Sequence, residues 1–247
     1  MLETPSGTER TIPNWYLPVM VAVAIGTAYL GELCTNANKM RFFSPEGLPP
    51  FSPALLREIM WNNIGNHAIC YGFLGGILCG LLTMITAGLA GSGRAITGLV
   101  VGSTLGLVGG ILTGVLGYFL TVNLQPMNLE SILMAMVIFA PVWGLLGAIT
   151  SVTSVILLRR SNLIGKALAM TLVMTLCTIL LYPLVVTLAF PTDWPGRIIP
   201  EFPRTRLVCF SIGSLCMVLA LFFTIRSSKP VSRAKDTTLE LANRSPS

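Results

Sequence analysis

Residues 95–120 read AITGLVVGSTLGLVGGILTGVLGYFL, 26 positions without a charge, in which Gly98, Gly102, Gly106, Gly110 and Gly114 recur at every fourth place. A bilayer core of about 30 Å takes roughly 20 apolar residues of helix, so this stretch is long enough to cross. Its apolar residues run continuously instead of alternating, and it is far longer than a membrane strand of about ten residues, which excludes a β-barrel. Backbone groups in lipid must bond within their own segment, and a helix does that.

Five further stretches have the same character, giving six spans at 15–33, 67–90, 95–120, 131–158, 163–190 and 207–225. The fold expected is an all-α polytopic transmembrane bundle. Of its 247 residues, 53% are hydrophobic and 11% charged, and the mean hydropathy is +0.76. Soluble domains carry about 25% charged residues, so a water-facing globule is ruled out. Between His67 and Leu158 only Arg94 and Glu130 are charged. The fourth and fifth spans exceed a perpendicular crossing and contain Pro141 and Pro183, where a bend is expected.

The domain plan has an N-terminal segment 1–14, a membrane domain 15–225 and a basic tail 226–247. The tail is polar and mixed in charge, as disordered segments are, and its Asn243-Arg244-Ser245 sequon matters only on a lumenal or extracellular face. The first span is short enough to act as a signal sequence, with a small-residue site after Ala37. However, Glu3 and Glu9 outweigh Arg10 ahead of it, which favours a retained helix.

Six spans put both termini on one side. That side holds 10 of the 16 Lys and Arg residues, including Arg94, Arg159, Arg160, Lys166 and Arg226. Positive-inside then places both termini in the cytoplasm of a plasma or inner membrane. Although the net charge is +6, the cations cluster at span ends beside head groups, and no nucleic-acid partner is implied.

Two connections lie on the opposite side. In the first, 44–53 is rich in proline. Ser52 and Pro53 then read as N-cap and first residue of a short interfacial helix over 54–63, with Leu55, Leu56, Ile59, Met60 and Ile64 on one side and Trp61 at head-group level. The second, 191–206, carries Pro191, Pro195, Pro200 and Pro203 and reads as a rigid loop.

The glycine row of the third span covers about 24 Å at 1.5 Å per residue, and a shorter row in the second comprises Gly72, Gly76 and Gly80. In lipid such glycine-zipper stripes let backbones approach and gain dispersion contacts over long lengths, so spans two and three are expected to pack together. Gly75, Gly109 and Gly117 make further small faces, which places the third span centrally. Residues 75–82 (GGILCGLL) and 109–116 (GGILTGVL) also match, but nothing of that quality joins the first three spans to the last three, as an inverted repeat would require.

Ionisable groups within the spans are scarce. Glu32 and His67 fall at one membrane level, with Asn66 beside His67 and Tyr29 a turn below Glu32. A polar site of Glu32, Asn66 and His67 at the outer mouth is the sharp reading, and polar residues satisfying helix ends the plain one. His67 and Cys70 share a face but lack other ligands, so no metal and no cofactor is implied. The six cysteines form no C-x-x-C pair and read as packers. No catalytic triad or phosphate loop occurs, and Thr150, Ser151, Thr153, Ser154, Thr171, Thr175 and Thr178 are expected to bond back to helix carbonyls.

With no midplane carboxylate, ion-coupled transport is disfavoured. The leading expectation is a non-enzymatic packing or assembly subunit, whose partners are the bilayer and either copies of itself or other membrane subunits. A passive channel or facilitator is the first alternative, and an intramembrane enzyme using Glu32 and His67 the second.

Overall fold

A computed structural model of the chain describes residues 12–39, 52–124, 130–193, 199–200 and 202–226. Its elements are α1 (Tyr16–Lys39), α2 (Pro53–Gly88), α3 (Ser92–Leu124), α4 (Ser131–Leu157), α5 (Ile164–Ala189) and α6 (Pro203–Arg226), with one 3-10 turn (Ser161–Leu163) ahead of α5. Among the described residues the protein is all-helical, and all six helices are long and apolar enough to cross a membrane. This is a multi-pass membrane protein.

The helix start at Pro53 is as expected, since the Ser52 hydroxyl accepts the Leu55 N–H at 3.2 Å. That helix does not stop at residue 63, however; it continues into the second span as one element of 36 residues. Asn62, Asn63, Gly65 and Asn66 are weak helix formers costing up to about 1 kcal/mol each, and packing along α3 overrides them. Trp61 is 60% exposed on this extended helix. Pro141 and Pro183 lie inside α4 and α5, which run through them. Residues 1–11, 40–51, 194–198 and 201 and the tail from 227 lie outside the described residues, and with them most of the proline-rich stretch 44–53, much of the second loop, the sequon and the acidic leader.

Each helix packs against its neighbours in sequence, α6 closes on α1, and α2·α4 and α4·α6 contacts cross the interior. Tyr71 of α2 and Phe210 of α6 meet edge to face at 6.1 Å. The inner layer is therefore α2, α4 and α6, parallel to one another, with α1, α3 and α5 running oppositely in the grooves between them. Burial follows the same division. Of the apolar stretches of α6 and α2, 67% and 61% of residues are buried, against 33% for α3 and 28% for α5.

The expectation that α3 is central is thus corrected. It has two neighbours, α2 and α4, while Ile96, Val100, Leu112 and Phe119 face outward. Glycine on several faces signals close neighbours on those faces, but it does not count the bulky face left over.

The core is built from helix-spaced rows. Tyr16, Met20, Ala24 and Ala28 make the buried row of α1, and the Tyr16 hydroxyl bonds Thr86 of α2 at 2.9 Å. Trp143 of α4, almost wholly buried, fills the space left by Gly213 of α6, where any Cβ would enter the indole ring. Phe139 and Tyr182 pack edge to face at 4.9 Å.

Candidate functional site

Two arrangements stand out, a backbone seam between α2 and α3 and a buried ionic knot at the loop end of the bundle. In the seam, a Cβ added to Gly98 would lie 2.6 Å from Thr83 O, and one on Gly102 would lie 2.7 Å from Cys79 O. On Gly106, Gly110 and Gly114 it would strike the carbonyl oxygens of Gly75, Tyr71 and His67. The carbonyls met therefore also step by four, in an unbroken antiparallel register with the glycine row. Such contact favours Cα–H···O interactions and close dispersion. The Thr83 hydroxyl, 2.6 Å from both Cys79 O and Gly98 O, adds a bond across the seam.

The glycines of α2 play a different part. Gly72 faces Ile111 and Leu107, Gly76 faces Ser103 O and Leu107, and Gly80 faces the Ser103 side chain. Gly76 and Gly80 flank the seam, while glycine meets glycine at Gly75 with Gly106 and at Gly110, where a Cβ would lie 2.8 Å from Gly72 Cα. The third side is closed by α4, whose Leu146 and Ile149 reach onto Gly75 and Gly109, while Cys79 Sγ and Thr150 Oγ1 lie 2.8 Å apart.

At the loop end, Arg206 has no exposed surface and Glu32 only 6%. Arg206 Nε donates to Glu32 Oε2 at 2.6 Å and Nη2 to Oε1 at 2.9 Å. Nη2 also reaches Asn36 Oδ1 at 2.9 Å, and Nη1 reaches Pro200 O at 3.1 Å. A forked, charge-assisted pair of this kind neutralises two groups that would each be costly alone in lipid.

The two residues before Arg206 bind a second carboxylate. Arg204 donates from Nη2 to Asp193 Oδ1 at 3.1 Å and from Nε to Oδ2 at 3.4 Å, and the Thr205 hydroxyl donates to Oδ2. Hydrogen bonds from Arg204, with help from the Thr205 and Thr192 hydroxyls, hold the Asp193 carboxyl below its ordinary range against an opposing desolvation. Arg204 itself lies over the rings of Phe190 and Phe202, 4.9 and 5.5 Å from their centroids. The first turn of α6 thereby ties the end of α5 and the end of α1 to one place.

Glu32 and His67, which the sequence puts at one membrane level, have different partners, since Glu32 is committed to Arg206. His67 Nδ1 lies 2.6 Å from Asn63 O, and its ring packs on Tyr118 of α3 at 5.4 Å. Asn66 Oδ1 is buried without a hydrogen-bond partner in the described residues. Tyr29 is 56% exposed. Among the described residues no group of three His, Cys, Asp or Glu side chains is placed to hold a metal.

The hydroxyls of α4 and α5 do more than bond back. Thr150 and Thr178 donate to Leu146 O and Met174 O at 2.8 and 2.9 Å, but Thr171 donates to Ser151 Oγ at 3.0 Å across the helix interface. Thr171, Thr175 and Thr178 also line a cavity with Trp143 and Cys216, between α4, α5 and α6, with about 10 Å³ of free space, room for a single water.

Sequence reasoning missed Arg206 and Asp193. The one usable signal was a carboxylate at Glu32 within a span, which requires a cation at its own depth. No family model, curated protein or solved structure matches this chain.

Proposed function

We propose that this protein is a non-enzymatic membrane subunit whose task is to pack and assemble within the bilayer, built on a glycine-zipper contact of α2 with α3. The observation carrying this reading is the filling of the α2–α3–α4 junction, where a solute path would need polar space. Glycine room there is taken by Leu146, Ile149 and the α2 backbone. Catalysis by Glu32 and His67 is disfavoured because the carboxylate is held by Arg206. The outward apolar residues of α3 and α5 suit lipid and, with it, copies of the chain or other membrane subunits as neighbours. The reading places both termini in the cytoplasm of a plasma or inner membrane and keeps the first span in the mature chain, since its buried row joins the core.

The test is cross-linking of the full chain in native membranes, followed by sizing in mild detergent. A defined oligomer or a stoichiometric membrane partner is the expected result. A monomer without partners, conducting a solute in proteoliposomes, overturns it. That second reading, passive permeation, draws on the threonine-lined cavity between α4, α5 and α6, and flux lost on Thr175→Val would favour it.

A further inference from the structure

Thr171, Thr175 and Thr178 lie on one face of α5, each more than nine-tenths buried. At 1.5 Å per residue they sit about 10 to 21 Å from the start of that helix. That depth is hydrocarbon, where a hydroxyl finds no bulk water and must be satisfied from within the bundle. A threonine hydroxyl has one proton to give and two lone pairs. Two of the three have spent that proton. Thr171 donates to Ser151 Oγ at 3.0 Å and Thr178 to Met174 O at 2.9 Å, and each keeps its capacity to accept.

Thr175 differs from both. Threonine inside a helix ordinarily donates to the carbonyl one turn back, yet the Thr175 hydroxyl has no hydrogen-bond partner among the described residues, although the residue is only 7% exposed. Its oxygen comes within 3.9 Å of the place that a Cβ on Gly144 of α4 would take. Small residues supply the room beside it. Gly147 of α4 and Ala220 of α6 line one cavity with the three threonines, and about 10 Å³ of it is free.

The bonding left over defines the occupant. Thr175 offers a donor, and Thr171 and Thr178 offer acceptors. Water has the complementary set, a lone pair for the Thr175 proton and two protons for the other oxygens, and about three bonds is usual for a buried water. The free space admits one such molecule and no larger polar solute.

We propose that a single water molecule is bound between α4, α5 and α6, accepting a hydrogen bond from Thr175 and donating to Thr171 and Thr178. Because Thr171 in turn donates to Ser151, the water completes a hydrogen-bonded file that ties α5 to α4 in the middle of the membrane. The site requires occupancy and not flow, so it stands or falls separately from assembly and from permeation.

The experiment exposes the full chain in lipid nanodiscs to a brief X-ray pulse that makes hydroxyl radicals from water, and reads methionine oxidation by peptide mass spectrometry. Radicals from bulk water do not reach the hydrocarbon depth, so oxidation there reports a water beside the side chain. Met217 lines the cavity, whereas Met20 and Met134, comparably buried, do not. Met217 is expected to be oxidised at least about fivefold more than either, as a resident water against none requires. Thr175→Val keeps the side-chain shape and removes the donor, and should bring Met217 down to the level of the two controls, while Thr175→Ser should keep it high. Should the valine variant fail to fold, Ala220→Val fills the space directly and should give the same loss. Met217 oxidised no more than Met20 and Met134 in the unaltered protein, or equally in Thr175→Val or Ala220→Val as in the unaltered protein, overturns the proposal.

Discussion

Arg206 on α6 and Glu32 on α1, 174 positions apart in the chain, face each other at 2.6 Å between Nε and Oε2 with almost no exposure to solvent. Their pairing joins the first and last helices and so closes the ring. Removing one partner leaves an uncompensated buried charge, at a cost of about 3–5 kcal/mol. Glu32→Leu and Arg206→Met should each lower the thermal midpoint in detergent sharply, and the double variant should recover most of the loss. A double variant no better than the worse single would show that the pair is not the relevant interaction.

Gly106 and Gly110 each face a backbone carbonyl of α2, which cannot rotate away as a side chain would. Overpacking commonly costs about 1–3 kcal/mol, and here the obstacle is main chain on a stiff helix. Leucine at either position should therefore separate α2 from α3 and yield aggregated or degraded protein. Gly165→Ala, where nothing lies within 4 Å of the new Cβ, should behave as wild type. Size-exclusion profiles of the three variants make the comparison.

Asp193 titrates below its ordinary value because Arg204 binds its charged form. A carboxyl depressed on folding contributes stability above the unfolded value of about 3.9, which is lost as pH falls through the lower folded value. Hydrogen exchange in 190–193 and 203–206 should stay slow down to about pH 4 and rise below it. Asp193→Asn should make it faster at neutral pH and remove the acid dependence.

Gly213→Ala should cost more than a typical glycine-to-alanine change in a helix, which is stabilising by about 0.5–1 kcal/mol when unhindered. Its Cβ would enter the Trp143 ring. Indole displacement should appear as a changed tryptophan emission together with a lower unfolding midpoint.

Retention of the first span makes a covalent prediction. Tyr16, Glu32 and Thr35 all bond residues of other helices, so intact-mass measurement of the membrane-inserted protein should include residues 15–37. A mature N-terminus at Asn38 would overturn that reading.

The spans, their number and their alternating direction were legible because lipid imposes one requirement on every residue of a segment: the segment must be apolar and must satisfy its own backbone. The Gly98 to Gly114 row was likewise visible, as a local periodicity on one helix. The fate of Asn62–Asn66 was not, since a few weak helix formers are outweighed by a long packed neighbour that local pattern does not reveal. Arg206 read as a loop cation one residue outside the sixth span, and only its depth beside Glu32 makes it a buried partner.

The sequence by itself thus determined what must lie in the membrane and which helix faces are small. The tertiary structure alone decided which carbonyls those glycines meet, that α3 is peripheral, and that Glu32 belongs to Arg206 instead of His67. Solvent compatibility is a property of each segment and is written locally. Pairing depends on depth and rotation shared by helices far apart in the chain, and these are fixed only when all six pack together.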